Sequence, residues 1–176
     1  MPLFVPRLGR LLTDIQTRTT PPMIGRAEVN DLLNVYGLRA GTKVRNASSG
    51  TRNPVVVVGS DRGRIVIKRY PDRWTDAAIH HEHSILAELA RVNFPVTRLL
   101  TTPAGETWVE HEGGRYVAFE YVSGRNYAGC HLSENTLHFV LTSAASTLAR
   151  FQAALSGFQP SGRHHLGYSS TENERD

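Results

Sequence analysis

Between Ala78 and Ala90 the chain reads AIHHEHSILAELA, an amphipathic helix with a carboxylate in the wrong place. At about 100° per residue, Ala78, Ile79, Ile85, Leu86 and Leu89 share one apolar arc. Glu82 falls in the middle of that arc. A carboxylate taken out of water is costly unless a cation or hydrogen-bond donors compensate it. The helix must therefore pack against an element that brings a cation to Glu82.

The cation nearest in sequence logic is Lys68, in GRIVIKRY. Strand alternation puts Arg64, Val66, Lys68 and Tyr70 on one face and Ile65 and Ile67 on the other. A strand followed by a helix packed on its sheet can join Lys68 to Glu82. Such a pair adds little net stability. A glutamate that aims a lysine ammonium at an anion is the better reason for it. Phosphoryl-transfer sites use these parts in this order: a loop between two strands over the phosphates, a strand lysine, and a helix glutamate. Here the loop is NASSGTRN, where Ser48, Ser49 and Gly50 let backbone amides approach oxygens. Each part also has a plainer reading: an edge-strand lysine in water, a glutamate at the arc's margin, and an ordinary hairpin connection.

The rest of the chain arranges itself around this core. RAEVNDLLNVYGL has helical spacing at Val29, Leu32, Leu33 and Tyr36, with Gly37 as its stop. A short strand near Val44, the β-branched runs Val55–Val58 and Ile65–Ile67, and the turn signal GSDRG between those runs predict a hairpin. Further strands are expected between Phe94 and Val122, with turns at TPAGE and HEGG. A long helix is expected from Ser133, with Leu137, Leu141, Ala144, Leu148, Phe151 and Leu155 as its stripe. The order helix, strands, helix, strands, helix predicts an α+β fold: an antiparallel sheet with a helix on it.

Composition narrows the class. The 176 residues carry a formal charge of +4, and 40% are hydrophobic. Most of the excess charge lies at the start, where Arg7, Arg10, Arg18 and Arg26 face Asp14 alone. This is not the dense basic stripe of a nucleic-acid binder. No apolar run is long enough to span a bilayer, and no signal-peptide core opens the chain. Cys130 is the single cysteine, so no intramolecular disulfide forms. These features predict a cytoplasmic protein with neither membrane nor nucleic acid among its partners. His80, His81 and His83 diverge around their helix and lack the spacing of a metal motif, so they are read as solvated.

The segments LLNVYGL, SSGTRNPVVVV, GRIVIKRY, HHEHSILAELARVNFPV, GRYVAFEYVSGRN and LARFQAALSGF together resemble the aminoglycoside phosphotransferase and choline kinase-like superfamily, and within it the homoserine-kinase-like small-molecule kinases. The resemblance covers most of residues 27–160. It implies a protein-kinase-like N-terminal lobe, a five-stranded antiparallel sheet with one packed helix, followed by the long first helix of an incomplete C-terminal lobe. It implies ATP as cofactor and a small-molecule hydroxyl as acceptor. Ser48, Ser49, Gly50, Thr51 and Asn53 would form the nucleotide loop. Lys68 would hold the phosphates and Glu82 would pair with it. Glu120, Tyr121 and Val122 would be the connector whose backbone meets adenine.

The expected organisation is a flexible basic arm over 1–25, the nucleotide-binding lobe over 26–122, the connector and first C-terminal helix over 123–160, and a polar tail over 161–176. Such kinases also use a His-x-Asp catalytic loop and a later Mg²⁺-binding aspartate. The sequence contains no His-x-Asp, and its one aspartate after the connector is Asp176. The chain is thus expected to be an N-terminal fragment that does not transfer phosphate alone, with Mg²⁺ engaged only when the missing lobe is supplied. The exposed face of its last helix is expected to associate with a partner. The alternative is a non-catalytic nucleotide-binding or regulatory module on the same scaffold.

Overall fold

The computed structural model describes residues 23–46, 53–125, 127 and 129–162. Helix α1 (Arg26–Val35) leads into strands β1 (Ala40–Asn46), β2 (Val55–Ser60) and β3 (Gly63–Arg69). Helix α2 (Asp76–Arg91) follows, then β4 (Val109–His111), β5 (Gly114–Glu120) and α3 (Glu134–Ala154). The strands form one antiparallel sheet in the order β1-β2-β3-β5-β4.

The alternation expected for β3 is the one observed. Ile65 and Ile67 join Val56, Val58, Tyr116 and Ala118 in a core against Val29, Leu32 and Leu33 of α1 and Tyr36 just after it. Val66 and Tyr70 lie on the other face with Val117, Phe119, Ile79 and Leu86, the last two from α2. The sheet therefore carries a helix on each face. The expected packed helix is α2. Helix α1 covers the opposite face, because its apolar stripe of Val29, Leu32 and Leu33 is fully buried there. Ile24, assigned from sequence to the arm, is buried in the same core. The rest of that arm, residues 1–22, lies outside the described residues, as do residues 163–176 of the tail.

Capping fixes the helix ends. Gly37 follows α1 at φ 67°, a conformation that favours glycine. Its amide donates to the Asn34 carbonyl, and the Leu38 amide donates to that of Leu33, both at 2.9 Å. This is a Schellman stop, completed by the buried pair Leu33 and Leu38. Helix α2 starts at Thr75, whose Oγ1 accepts the Ala78 amide at 3.2 Å. Asp76 in its first turn accepts from Arg115 of β5 at 2.8 Å and ties the helix to the sheet. Ser133 caps α3 as expected, accepting from the Thr136 amide.

Strands β1 and β2 approach closely where the register of β1 shifts between Ala40 and Val44. A methyl group built on Gly41 would lie 2.9 Å from the Gly59 carbonyl oxygen. Replacing Gly41 with alanine should force the two strands apart and cost about 1–3 kcal/mol. A urea melt of that variant, compared with an alanine at the unobstructed Gly124, would measure the cost.

Helix α3 has no buried residue. Leu137, Phe139, Leu141 and Leu148 are all exposed. Among the described residues the helix meets the Phe94 ring twice, through Phe151 with centroids 5.8 Å apart and through the Arg150 guanidinium 5.9 Å over the ring. Among the described residues no helix is long and apolar enough to cross a membrane.

Candidate nucleotide site

The ion pair asked for by the sequence is present. Lys68 Nζ donates to Glu82 Oε1 at 3.1 Å and to Oε2 at 3.5 Å. Both side chains are half-buried, at 21% and 29% exposure. Strand β3 delivers the lysine to the face that α2 covers, and the apolar arc of α2 delivers the glutamate to the same place. The ammonium is also held from the sheet side. It lies 4.4 Å from the centroid of the Tyr70 ring and 5.6 Å from that of Trp74. Those two rings stack, 5.1 Å apart.

Rows of side chains cross this face from strand to strand. Lys68 pairs with Val55 and Val117 on its neighbours. The next row is Arg45, Val57, Val66 and Phe119. The row after that pairs Gly59 with Arg64. Arg64 thus stands four residues from Lys68, about 13 Å along the strand. A cleft of about 330 Å³ opens at that end, lined by Lys43, Arg45, Val57, Gly59, Arg64 and Tyr121. The Arg64 guanidinium lies 3.9 Å over the Tyr121 ring. The Arg64 carbonyl accepts the Tyr121 amide at 3.2 Å. The segment after β5 is therefore clamped to β3 at the mouth of the cleft. A larger hollow of about 520 Å³ lies elsewhere, between Val35, Pro103, Trp108 and Glu110. It is shallower than the smaller cleft; neither lining includes Lys68 or Glu82, but the smaller cleft opens on the sheet face that Lys68 shares with Arg45, Val57 and Arg64.

The predicted connector residues divide in three ways. Tyr121 lines the cleft. The Glu120 carbonyl already accepts the Thr97 hydroxyl at 2.9 Å, and the Glu120 amide donates to the Arg98 carbonyl. Val122 is exposed, and among the described residues nothing accepts its amide. Asn53 lies in the bend before β2, half-buried. Ser48, Ser49, Gly50 and Thr51 lie outside the described residues.

One expectation is corrected. His83, read as solvated, is 4% exposed. It stands four residues after the fully buried Ile79 and shares its side of the helix. Its Nε2 is 2.9 Å from the Tyr70 hydroxyl, and its Nδ1 is 2.7 Å from the Thr107 hydroxyl. Those partners substitute for water, which is why a histidine can sit there. Burial pushes its pKa down to about 4, against the opposing charge of Glu82 and with help from Lys68 and His80. Burial, reinforced by Glu82, raises the Tyr70 phenol, so it stays protonated.

The stability consequence follows from linkage. The unfolded chain takes up a proton near pH 6.5, and the folded His83 does so only near 4. His83's contribution is complete above pH 6.5 and declines as pH falls from there towards 4, by up to about 3 kcal/mol. Urea melts of the wild type and of His83→Gln across pH 7.5 to 4 should converge as the pH drops.

Neither Tyr70 nor Thr107 was predicted as part of the site. The alternation that placed Lys68 also places Tyr70 beside it, which was signal enough. Thr107 carried none, because its approach to His83 depends on the path of the segment before β4.

Among known proteins, the sequence model of the phosphotransferase enzyme family (APH) matches residues 43–175. Stress response kinase A of Salmonella choleraesuis strain SC-B67 is 29% identical over 107 residues, 60% of this chain and 32% of that protein. The serine/threonine protein kinase RdoA of Salmonella typhimurium is 35% identical over 75 residues, 42% of this chain and 23% of that protein. A spectinomycin phosphotransferase, solved with ADP and spectinomycin, superposes with a TM-score of 0.49 at 16% identity, covering 61% of this chain and 32% of the other. The chain spans about a third of the length of the first of these curated relatives. With three quarters of its residues matched by one family, and with the strand lysine and helix glutamate paired, the chain belongs to the phosphotransferase enzyme family.

Proposed function

We propose that residues 26–122 form the nucleotide-binding lobe of an ATP-dependent phosphotransferase whose acceptor is a small-molecule hydroxyl. The observation that carries this reading is the Lys68–Glu82 pair, beside an apolar row that leads to the Tyr121 segment. In this reading the phosphates meet Lys68, with Glu82 fixing the ammonium's direction. The base lies against Val57 and Val66, and the Val122 amide and the remaining lone pair of the Glu120 carbonyl face its edge. Backbone amides of residues 48–53 complete the phosphate site.

Helix α3 is read as the first helix of the second lobe, and its exposed leucines as the surface that further residues of that lobe cover. Transfer itself needs a carboxylate to position the acceptor hydroxyl and carboxylates to hold Mg²⁺. We assign those to residues outside this sequence, so the 176 residues bind nucleotide without transferring phosphate.

The test is calorimetry with Mg²⁺ and a series of ligands: AMP-PNP (a non-hydrolysable ATP analogue), ADP, AMP and adenosine. Affinity should fall along the series as phosphates are removed, and the first members should weaken with salt. Equal affinity for adenosine and AMP-PNP would remove Lys68 from the phosphate site and overturn the reading.

A further inference from the structure

The Lys68–Glu82 pair is only half-buried, yet behind it stand two side chains sealed from water, tied to a half-buried threonine. Tyr70 is 1% exposed and His83 is 4% exposed. Lys68 rests on the Tyr70 ring, the Tyr70 hydroxyl meets His83 Nε2, and His83 Nδ1 meets the Thr107 hydroxyl. A neutral imidazole has one donor and one acceptor, so each hydroxyl takes the complementary role and the ring is locked in plane. His83 also follows Glu82 directly in α2, so whatever fixes the ring fixes the turn of helix that carries the glutamate. Thr107 has a second attachment, since its carbonyl accepts the Tyr36 hydroxyl at 3.4 Å from the end of α1. The relay thus runs from the segment before β4, through α2, to the aromatic seat under the ammonium.

We propose that Thr107, His83 and Tyr70 are positioning residues for Lys68: a relay that holds the aromatic seat and the Glu82 turn in register, so that the ammonium points at the phosphates. The inference rests on the assignment of Lys68 to a nucleotide. None of the three touches the ligand. Thr107 is the decisive member, because it acts on Lys68 only through His83 and Tyr70.

Lys43 and Lys68 are the two lysines of the sequence, which makes the ammonium directly observable. The full chain is labelled with ¹³C at lysine Cε. The Lys68 signal is the one lost in Lys68→Arg. Thr107→Val removes the hydroxyl at nearly constant volume, and Thr107→Ser restores it. In Thr107→Val the Lys68 signal should move towards the position of the exposed Lys43 signal, and Lys43 should stay. Affinity for AMP-PNP with Mg²⁺ should weaken about threefold to tenfold, the worth of one hydrogen bond. Thr107→Ser should return both readouts to wild type. An unmoved Lys68 signal in a folded Thr107→Val chain whose His83 ring signals have shifted would overturn the relay. Should Thr107→Val not fold, Thr107→Ala removes the same hydroxyl, leaves Tyr70 and Glu82 untouched and is judged by the same signal. If the wild type binds no nucleotide but Lys68 moves on Thr107→Val, the relay stands and the nucleotide assignment falls. If nucleotide binds and Lys68 does not move, the reverse holds.

Discussion

Replacing Lys68 with alanine should weaken binding of AMP-PNP about a hundredfold, from the loss of two charge-assisted contacts at roughly 1.5 kcal/mol each. In the proposed reading, removal also leaves Glu82 without its cation beside the phosphates, where its charge should repel them. That second effect is separable. Adding Glu82→Gln to Lys68→Ala should recover part of the loss, while Glu82→Gln alone should weaken binding less than Lys68→Ala does. The fold should survive both changes, because each side chain keeps access to water and such a pair adds little net stability. Calorimetry on the four chains of this cycle, with circular dichroism on each, checks the prediction. An unchanged affinity in Lys68→Ala would place the nucleotide elsewhere.

The largest effect on stability should come from the face opposite the site. Leu32 is fully buried between α1 and the sheet, among Val56, Val58, Ile65 and Ile67. Truncating it to alanine removes three carbons from a packed core and leaves a cavity, at a cost of about 3 kcal/mol. Domains of this size hold only about 5–15 kcal/mol in total, so the urea midpoint should fall visibly. The same truncation at Leu141, exposed on α3, should leave the midpoint nearly unchanged. The contrast tests whether α1 is an integral cover of the sheet rather than an appended helix. A Leu32→Ala chain as stable as wild type would show α1 to be dispensable.

Some of this architecture was readable before any coordinates because it rests on local periodicity. Alternation along Arg64–Tyr70 and the 3.6-residue period of α2 suffice to join Lys68 to Glu82. The stop at Gly37 and the start at Ser133 follow from local capping chemistry at single residues. The packing of α1 on the second face was less accessible. Its stripe announces burial, but nothing local says against which face. His83 was misread because its neighbours His80 and His81 are polar and its own partners, Tyr70 and Thr107, lie 13 and 24 residues away. A buried histidine looks solvated until those partners are in place. The cationic lining of the cleft by Lys43, Arg45 and Arg64 depends on strand register between β1, β2 and β3, which the sequence does not display. The resemblance supplied the connector, yet only the structure shows the Glu120 carbonyl already in use by Thr97.

The most direct test of the account is a titration of the lysine-labelled, ¹⁵N-labelled chain with AMP-PNP and Mg²⁺. Lys68 and the Val122 amide should shift together with one dissociation constant, while Val35 and Trp108, at the larger hollow, stay fixed. Saturable binding that moves Val35 and Trp108 and leaves Lys68 in place would contradict it.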